Sequence, residues 1–127
     1  VVTLVKAIEI GWFGHDMANL ARFHELGTSN LPARSHLYKA YNSTEFQQII
    51  HSILKKAILN KKSIKGALEE IATIFIIYYK DFVLSKQVTP KLKDATIKAN
   101  RAKGRKHPDT PLVDTGMMIS SIEYRHK

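Results

Sequence analysis

The chain is predicted to be an α+β domain, in which a small antiparallel sheet using both chain ends packs against two long antiparallel helices. Three observations carry this expectation. Residues 1–13 and 122–125 have the β-branched and aromatic composition of strands, and the second stretch alternates. Between them, two runs of apolar residues recur at intervals of three and four, the mark of amphipathic helices. Only Asn60-Lys61-Lys62 separates these runs, a connection short enough to make the helices antiparallel neighbours. At 127 residues, 44% hydrophobic and 24% charged, the chain suits one domain over its whole length, 1–127, with its own core.

Taken in order, Val1, Val2, Thr3, Leu4 and Val5 open a segment that continues through Ile8, Ile10, Trp12 and Phe13, read as one strand. A short helix over residues 16–26 places Met17, Leu20, Ala21 and Phe23 or His24 at helical spacing, with Asp16 as its N-cap. Gly27 stops it by taking the left-handed conformation. Thr28, Ser29 and Asn30 make a polar turn, Pro32 fixes its own φ and extends Leu31, and Ser35 is placed to cap the next helix. Residues 23–37 therefore form a built corner that gathers two histidines, a glutamate and an arginine.

Thr44 and Gln47 have capping-box spacing ahead of Phe46, Ile49, Ile50, Ile53, Leu54, Ala57 and Ile58. Ser63 caps the second long helix, which runs through Ile64, Ala67, Leu68, Ile71, Ile74, Phe75, Tyr78 and Phe82. From Ile71 to Tyr79 this helix is apolar nearly all round, so it is expected to be covered on more than one side. Thr89-Pro90 opens a short basic helix through Leu92, Ala95, Thr96 and Ala99, and residues 101–111, with Gly104, Pro108 and Pro111, read as a mobile loop. A short segment over 117–120 leads into the last strand, which pairs with the first.

The 20 Lys and Arg against 11 Asp and Glu give a formal charge of +9, which fits an acidic partner. The excess is regional: Lys86, Lys91, Lys93, Lys98, Arg101, Lys103, Arg105 and Lys106 are opposed only by Asp94, within a basic arm at about 86–111. Lys98, Arg101, Lys103, Arg105 and Lys106 would serve an acidic neighbour or non-specific contact with DNA phosphates, which is salt-sensitive. No aromatic residue lies between Lys86 and Lys106, so base stacking is not provided for. The absence of cysteine excludes disulfides, thiolate metal sites and cysteine nucleophiles. The longest apolar run, residues 74–79, is far short of the roughly 20 needed to span a bilayer, and no membrane association is expected.

Three motifs invite a catalytic reading. Asp114-Thr115-Gly116 has the form of an aspartic-protease turn, but that chemistry needs an all-β body and strands after the turn, and only eleven residues follow Gly116. The plainer reading is that Asp114 or Thr115 caps the segment at 117–120. His24-Glu25 opens like a zinc-protease helix motif, which fails because residue 28 is Thr rather than His. His15, His24, His36 and His51 have no convincing ligand spacing, and neither a phosphate-binding glycine loop nor a nucleophile elbow is present. The expectation is a chain that is not an enzyme and needs no cofactor or metal.

Two parts of the chain carry a resemblance. His24-Glu25-Leu26-Gly27-Thr28 followed by Leu31-Pro32-Ala33-Arg34-Ser35-His36-Leu37 resembles the IHEFGT…IPARPFL signature of small virion morphogenesis proteins of tailed bacteriophages, the neck and tail-completion proteins. Pro111-Leu112-Val113-Asp114-Thr115-Gly116, with Ile119, Ser121 and Ile122, resembles their PLIDTG.L..SI.Y signature, and Pro90, Leu92, Thr96, Ile97 and Lys98 match a stretch just before it. Leu26 replaces the usual Phe, Ser35-His36 stands where Pro-Phe or Ser-Phe is common, and the basic insertion over 101–107 is longer than the signature requires.

The resemblance implies a structural subunit of a homo-oligomeric ring in the virion, joining the DNA-filled head to the tail beside other neck and tail proteins. A tail-terminator ring is the nearest alternative, and a DNA-binding or packaging accessory protein using residues 86–106 is the alternative from another class. The expected interface residues are Phe23, His24, Glu25, Gly27, Pro32 and Arg34 in the corner and Asp114, Thr115 and Gly116 in the C-terminal turn. Arg34 has two readings, a bidentate pair with a neighbour's carboxylate or a pin holding the corner to its own domain.

Overall fold

A computed structural model describes residues 1–29, 31–85, 102 and 116–127 of the chain. The N-terminal segment is a hairpin rather than the single strand predicted, with β1 (Val2–Leu4) turning into β2 (Ile8–Gly11). The turn places two successive residues, Val5 (φ 51°) and Lys6 (φ 56°), in the left-handed region. The Ala7 N–H closes it by donating to the Leu4 carbonyl at 3.0 Å. Two consecutive positive φ angles twist a tight hairpin correctly, and Asn-Gly or Asp-Gly usually supplies them. Val5-Lys6 does not, so the turn left no mark in the sequence.

The last strand, β3 (Glu123–His126), pairs antiparallel with β2 in a sheet ordered β1-β2-β3, with Ile8 opposite His126 and Gly11 opposite Glu123. Both chain ends therefore share one sheet, as expected, with the second half of the N-terminal segment at its centre. The alternation of β1 and β2 buries Val2, Leu4, Ile8 and Ile10 against the helices.

Between the strands lie α1 (His15–Leu26), α2 (Leu37–Tyr41), α3 (Thr44–Leu59), α4 (Ile64–Leu84) and the short α5 (Gly116–Ser120). The cap of α1 is Gly14, with no side-chain bond, and Asp16 sits in the first turn rather than at the cap. The cap of α3 is Ser43, whose hydroxyl accepts from the Phe46 N–H; Gln47 does not close a capping box but donates to the Tyr41 carbonyl at 2.6 Å. Ser63 caps α4 as predicted, accepting from the Gly66 N–H at 3.3 Å.

The break at residues 60–62 has a definite form. Lys61 is left-handed at φ 54°, the Lys62 N–H reaches the Ala57 carbonyl at 2.8 Å, and the Lys61 N–H reaches Ile58 at 3.3 Å. This is a Schellman end with lysine where glycine is usual, and it reverses the chain so that α3 and α4 pack antiparallel.

The core centres on α4. Ile71, Ala72, Phe75, Tyr79 and Val83 are wholly buried under the sheet, α2 and α3, which accounts for most of the apolar surplus between Ile71 and Tyr79. Phe46 of α3 meets Phe75 with ring centroids 4.7 Å apart, a distance at which tilted aromatic pairs attract beyond their buried area. Ile77 is the exception, 66% exposed on the far side of α4.

Candidate functional site

The corner after α1 is assembled by backbone geometry before any side chain contributes. Gly27 ends α1 at φ 79°, and its N–H donates to the Phe23 carbonyl at 2.8 Å. A Cβ at this position would lie 2.7 Å from the Ala33 nitrogen and 2.9 Å from the Leu31 carbonyl oxygen, so both conformation and space demand glycine. Thr28 and Leu31 exchange backbone hydrogen bonds across the turn, and the Arg34 N–H donates to the His24 carbonyl at 2.7 Å. The returning chain is thereby stitched to the last turn of α1.

Glu25 projects from that last turn across to the start of α2. Its carboxylate accepts from the Ser35 hydroxyl, from the His36 N–H at 3.2 Å and from the Leu37 N–H at 2.9 Å. The free N–H groups that open α2 are thus satisfied by a negative charge held from a different helix, which favours the positive end of a helix. Ser35, predicted to cap this helix, instead donates to Glu25, and the capping position falls to His36 without a side-chain bond.

His36 is fully buried and joins four parts of the fold. Its Nε2 lies 3.0 Å from the Ala21 carbonyl and its Nδ1 lies 2.7 Å from the Tyr79 hydroxyl. A carbonyl only accepts, so Nε2 carries the proton; burial favours the neutral ring, in which Nδ1 accepts from the Tyr79 hydroxyl. Burial holds the His36 pKa below its ordinary value, against the Ala21 carbonyl and the Glu25 carboxylate, which favour the charged ring. Burial also pushes the Tyr79 hydroxyl above its ordinary value, with the Glu25 charge acting in the same direction.

Trp12 packs edge-on against both His36 and Tyr79, with centroids 5.6 and 5.7 Å away. Its indole N–H donates to the Met118 carbonyl in α5 at 2.6 Å. The corner and the segment that follows the C-terminal turn, far apart in sequence, therefore meet around one tryptophan, and α5 also packs on α1.

The predicted interface residues divide into two sets. Glu25 and Arg34 point inward, with the Glu25 side chain 9% exposed and Arg34 8% exposed. His24 is half-buried, while Phe23, Leu26 and Pro32 are exposed, with Phe23 at 49% and Leu26 at 63%. The burial of Arg34 favours its role as a pin within its own domain over a reach to a neighbour. Gly116 is the first, exposed residue of α5, whereas Asp114 and Thr115 lie outside the described residues. So do Lys98, Arg101, Lys103, Arg105 and Lys106, together with the helix predicted from Thr89-Pro90.

Sequence reading placed Trp12 in a strand and Tyr79 at the end of an apolar helical stretch but joined neither of them to His36. The single tryptophan of the chain was a usable signal, because a buried indole N–H usually finds a hydrogen-bond partner. Among the described residues no three His, Asp or Glu side chains are grouped to hold a metal ion, and no helix is long and apolar enough to cross a membrane. Comparison with protein-family models, curated proteins and solved structures finds no match in any of the three.

Proposed function

We propose that this chain is a structural virion protein of a tailed bacteriophage, a ring subunit of the neck or tail-completion type that joins the head to the tail. The observation that carries the reading is the inverted polarity of the corner. Glu25 and His36 turn inward and spend their hydrogen-bonding capacity on the fold itself, whereas Phe23 and Leu26 face solvent. A hydrolytic site needs the reverse, titratable groups open to a substrate. Exposed apolar side chains on a backbone locked by Gly27 and Glu25 suit a rigid contact surface, because little conformational entropy is lost when such a surface binds.

The meeting of the two resemblance-bearing segments around Trp12 supports the same reading, since residues that share a signature for a structural reason are expected to touch. The ring, its place in the virion and its neighbours come from the resemblance of residues 24–37 and 111–122, and the chemistry asks for no cofactor.

The test is a double variant, Phe23→Ser with Leu26→Ser, in phage carrying the altered subunit. Both side chains are at least about half exposed, so the isolated variant is expected to keep its fold, with a melting temperature within about 4 °C of the wild type. Infectious titre is expected to fall at least about a hundredfold, leaving filled heads and separate tails. Normal titre with the double variant incorporated would remove the corner from the contact surface.

A further inference from the structure

The hairpin of α3 and α4 ends in a patch that the core does not use. Ile58 and Leu59 close α3 at 67% and 70% exposed, and Ile64 opens α4 at 44%. Lys55 stands one turn before both Ile58 and Leu59, so the three share the outer face of the last turn. Lys56, Lys61, Lys62 and Lys65 are exposed around the same end. Between Glu45 and Glu69 the chain has no acidic residue, and among the described residues none of the five lysines is in an ion pair. The nearest carboxylates along α4 lie beyond its first turn, where Glu69 meets His126 at 3.0 Å and Glu70 borders the groove between the helices.

Two features of the reversal mark it as more than a solvated end. Lys61 holds the left-handed conformation, at φ 54°, that glycine takes at lower cost, and such departures cluster where a ligand is clamped. Lys62 holds the position from which a Schellman end commonly packs an apolar side chain back on the last turn. Both positions carry charge where stability alone would favour glycine and an apolar residue, and the aliphatic side chains beside them stay in water.

We propose that this end of the hairpin binds an anionic lipid surface, with Ile58, Leu59 and Ile64 entering the boundary between headgroups and acyl chains and the lysines meeting lipid phosphates. Composition decides the occupant. Aliphatic side chains ringed by lysine suit an interfacial membrane contact, in which the lysine stems lie along the apolar surface while their amines reach the headgroups. A protein partner would call for arginine and aromatic residues, since lysine is depleted from such interfaces. Duplex DNA would engage the amines but leave three aliphatic side chains uncovered. The lack of a spanning helix among the described residues bears on crossing a bilayer and not on binding at its surface. The contact is independent of the ring reading.

The test is sedimentation of the full-length chain with vesicles of phosphatidylcholine alone, or of three parts phosphatidylcholine to one part phosphatidylglycerol. Binding is expected on the anionic vesicles only. The basic residues at 86–106 would add to any electrostatic attraction, so the variants leave them intact and change the hairpin end alone. Ile58→Ser with Leu59→Ser, which keeps the charge at +9, is expected to weaken binding at least about tenfold. Lys55→Gln with Lys62→Gln is expected to weaken it by a similar factor. All four side chains are exposed, so both variants are expected to fold, with Tm within about 4 °C of the wild type. Because the chain has no cysteine, Asn60→Cys can carry a single environment-sensitive fluorophore at the hairpin end. It is expected to brighten at least about twofold on anionic vesicles. The same label on Thr44→Cys, roughly 20 Å away at the other end of α3, is expected to stay unchanged.

Vesicle binding that survives the loss of Ile58 and Leu59, or equal responses of the labels at 60 and 44, would overturn the proposal, because the attraction would then belong to the basic charge as a whole. No binding to either vesicle, or equal binding to both, would overturn it as well. So would a response of the label at 60 to a short DNA duplex and none to vesicles, which would assign the lysines to nucleic acid.

Discussion

Gly27→Val is expected to cost the subunit about 4 kcal/mol, a large part of the 5–15 kcal/mol that holds a domain of this size together. Two terms add. A β-branched residue held at φ 79° pays roughly 1–3 kcal/mol for the backbone conformation alone. Its Cβ must then displace the Ala33 nitrogen and the Leu31 carbonyl, which are backbone atoms fixed by the Thr28–Leu31 pairing and cannot swing aside, adding about 1–3 kcal/mol.

Gly66 provides the opposite sign within the same chain. It lies in α4, where an added Cβ meets nothing closer than the Ser63 side chain at 3.8 Å, so Gly66→Ala is expected to stabilise by about 1 kcal/mol through helix propensity. Urea unfolding followed by the fluorescence of the single, buried Trp12 reads both variants. Equal effects at the two glycines would refute the corner geometry.

Replacing His36 by Phe is expected to cost about 2 kcal/mol near pH 8, because it leaves the buried Tyr79 hydroxyl and Ala21 carbonyl without their partner. That difference should narrow in acid. The His36 pKa is lowered in the folded chain, so the unfolded state takes up the proton first. Its contribution is complete above the unfolded value of about 6.5 and is lost as pH falls below it, at up to about 1.4 kcal/mol per pH unit until the folded value is reached. His36→Phe lacks this loss. The groups around the ring, Glu25, Tyr79 and Trp12, are common to both proteins, as are the other histidines, so the comparison isolates His36. Parallel stability curves from pH 8 to pH 5 would mean that the ring is not held neutral.

The fold class was legible because it rests on periodicity. The three-and-four spacing of α3 and α4 and the Ser63 cap survive in the structure, and the alternation of the last strand placed both chain ends in one sheet. The hairpin in residues 1–11 was not legible, since Val5 and Lys6 adopt positive φ without any residue that prefers it. Tertiary pairing overrode local preference there.

In the corner, Gly27 was legible from its type alone. The partners of Glu25 were not, because a carboxylate that caps a helix eleven or twelve residues further on leaves no fixed spacing to read. The partners of His36 were not legible either, because Tyr79 stands 43 positions away and no spacing ties the two together. Polar groups that look catalytic in a sequence become structural once burial assigns them to backbone partners, and burial is a property of the whole chain.

The most direct measurement of the functional claim is the location of this chain in the assembled particle. Electron cryomicroscopy of the purified phage that carries it, refined around the head–tail junction, is expected to show a ring of identical subunits into which this fold fits, with the Phe23–Leu26 face against an adjoining protein. A particle in which the junction is built entirely from other chains would contradict the account.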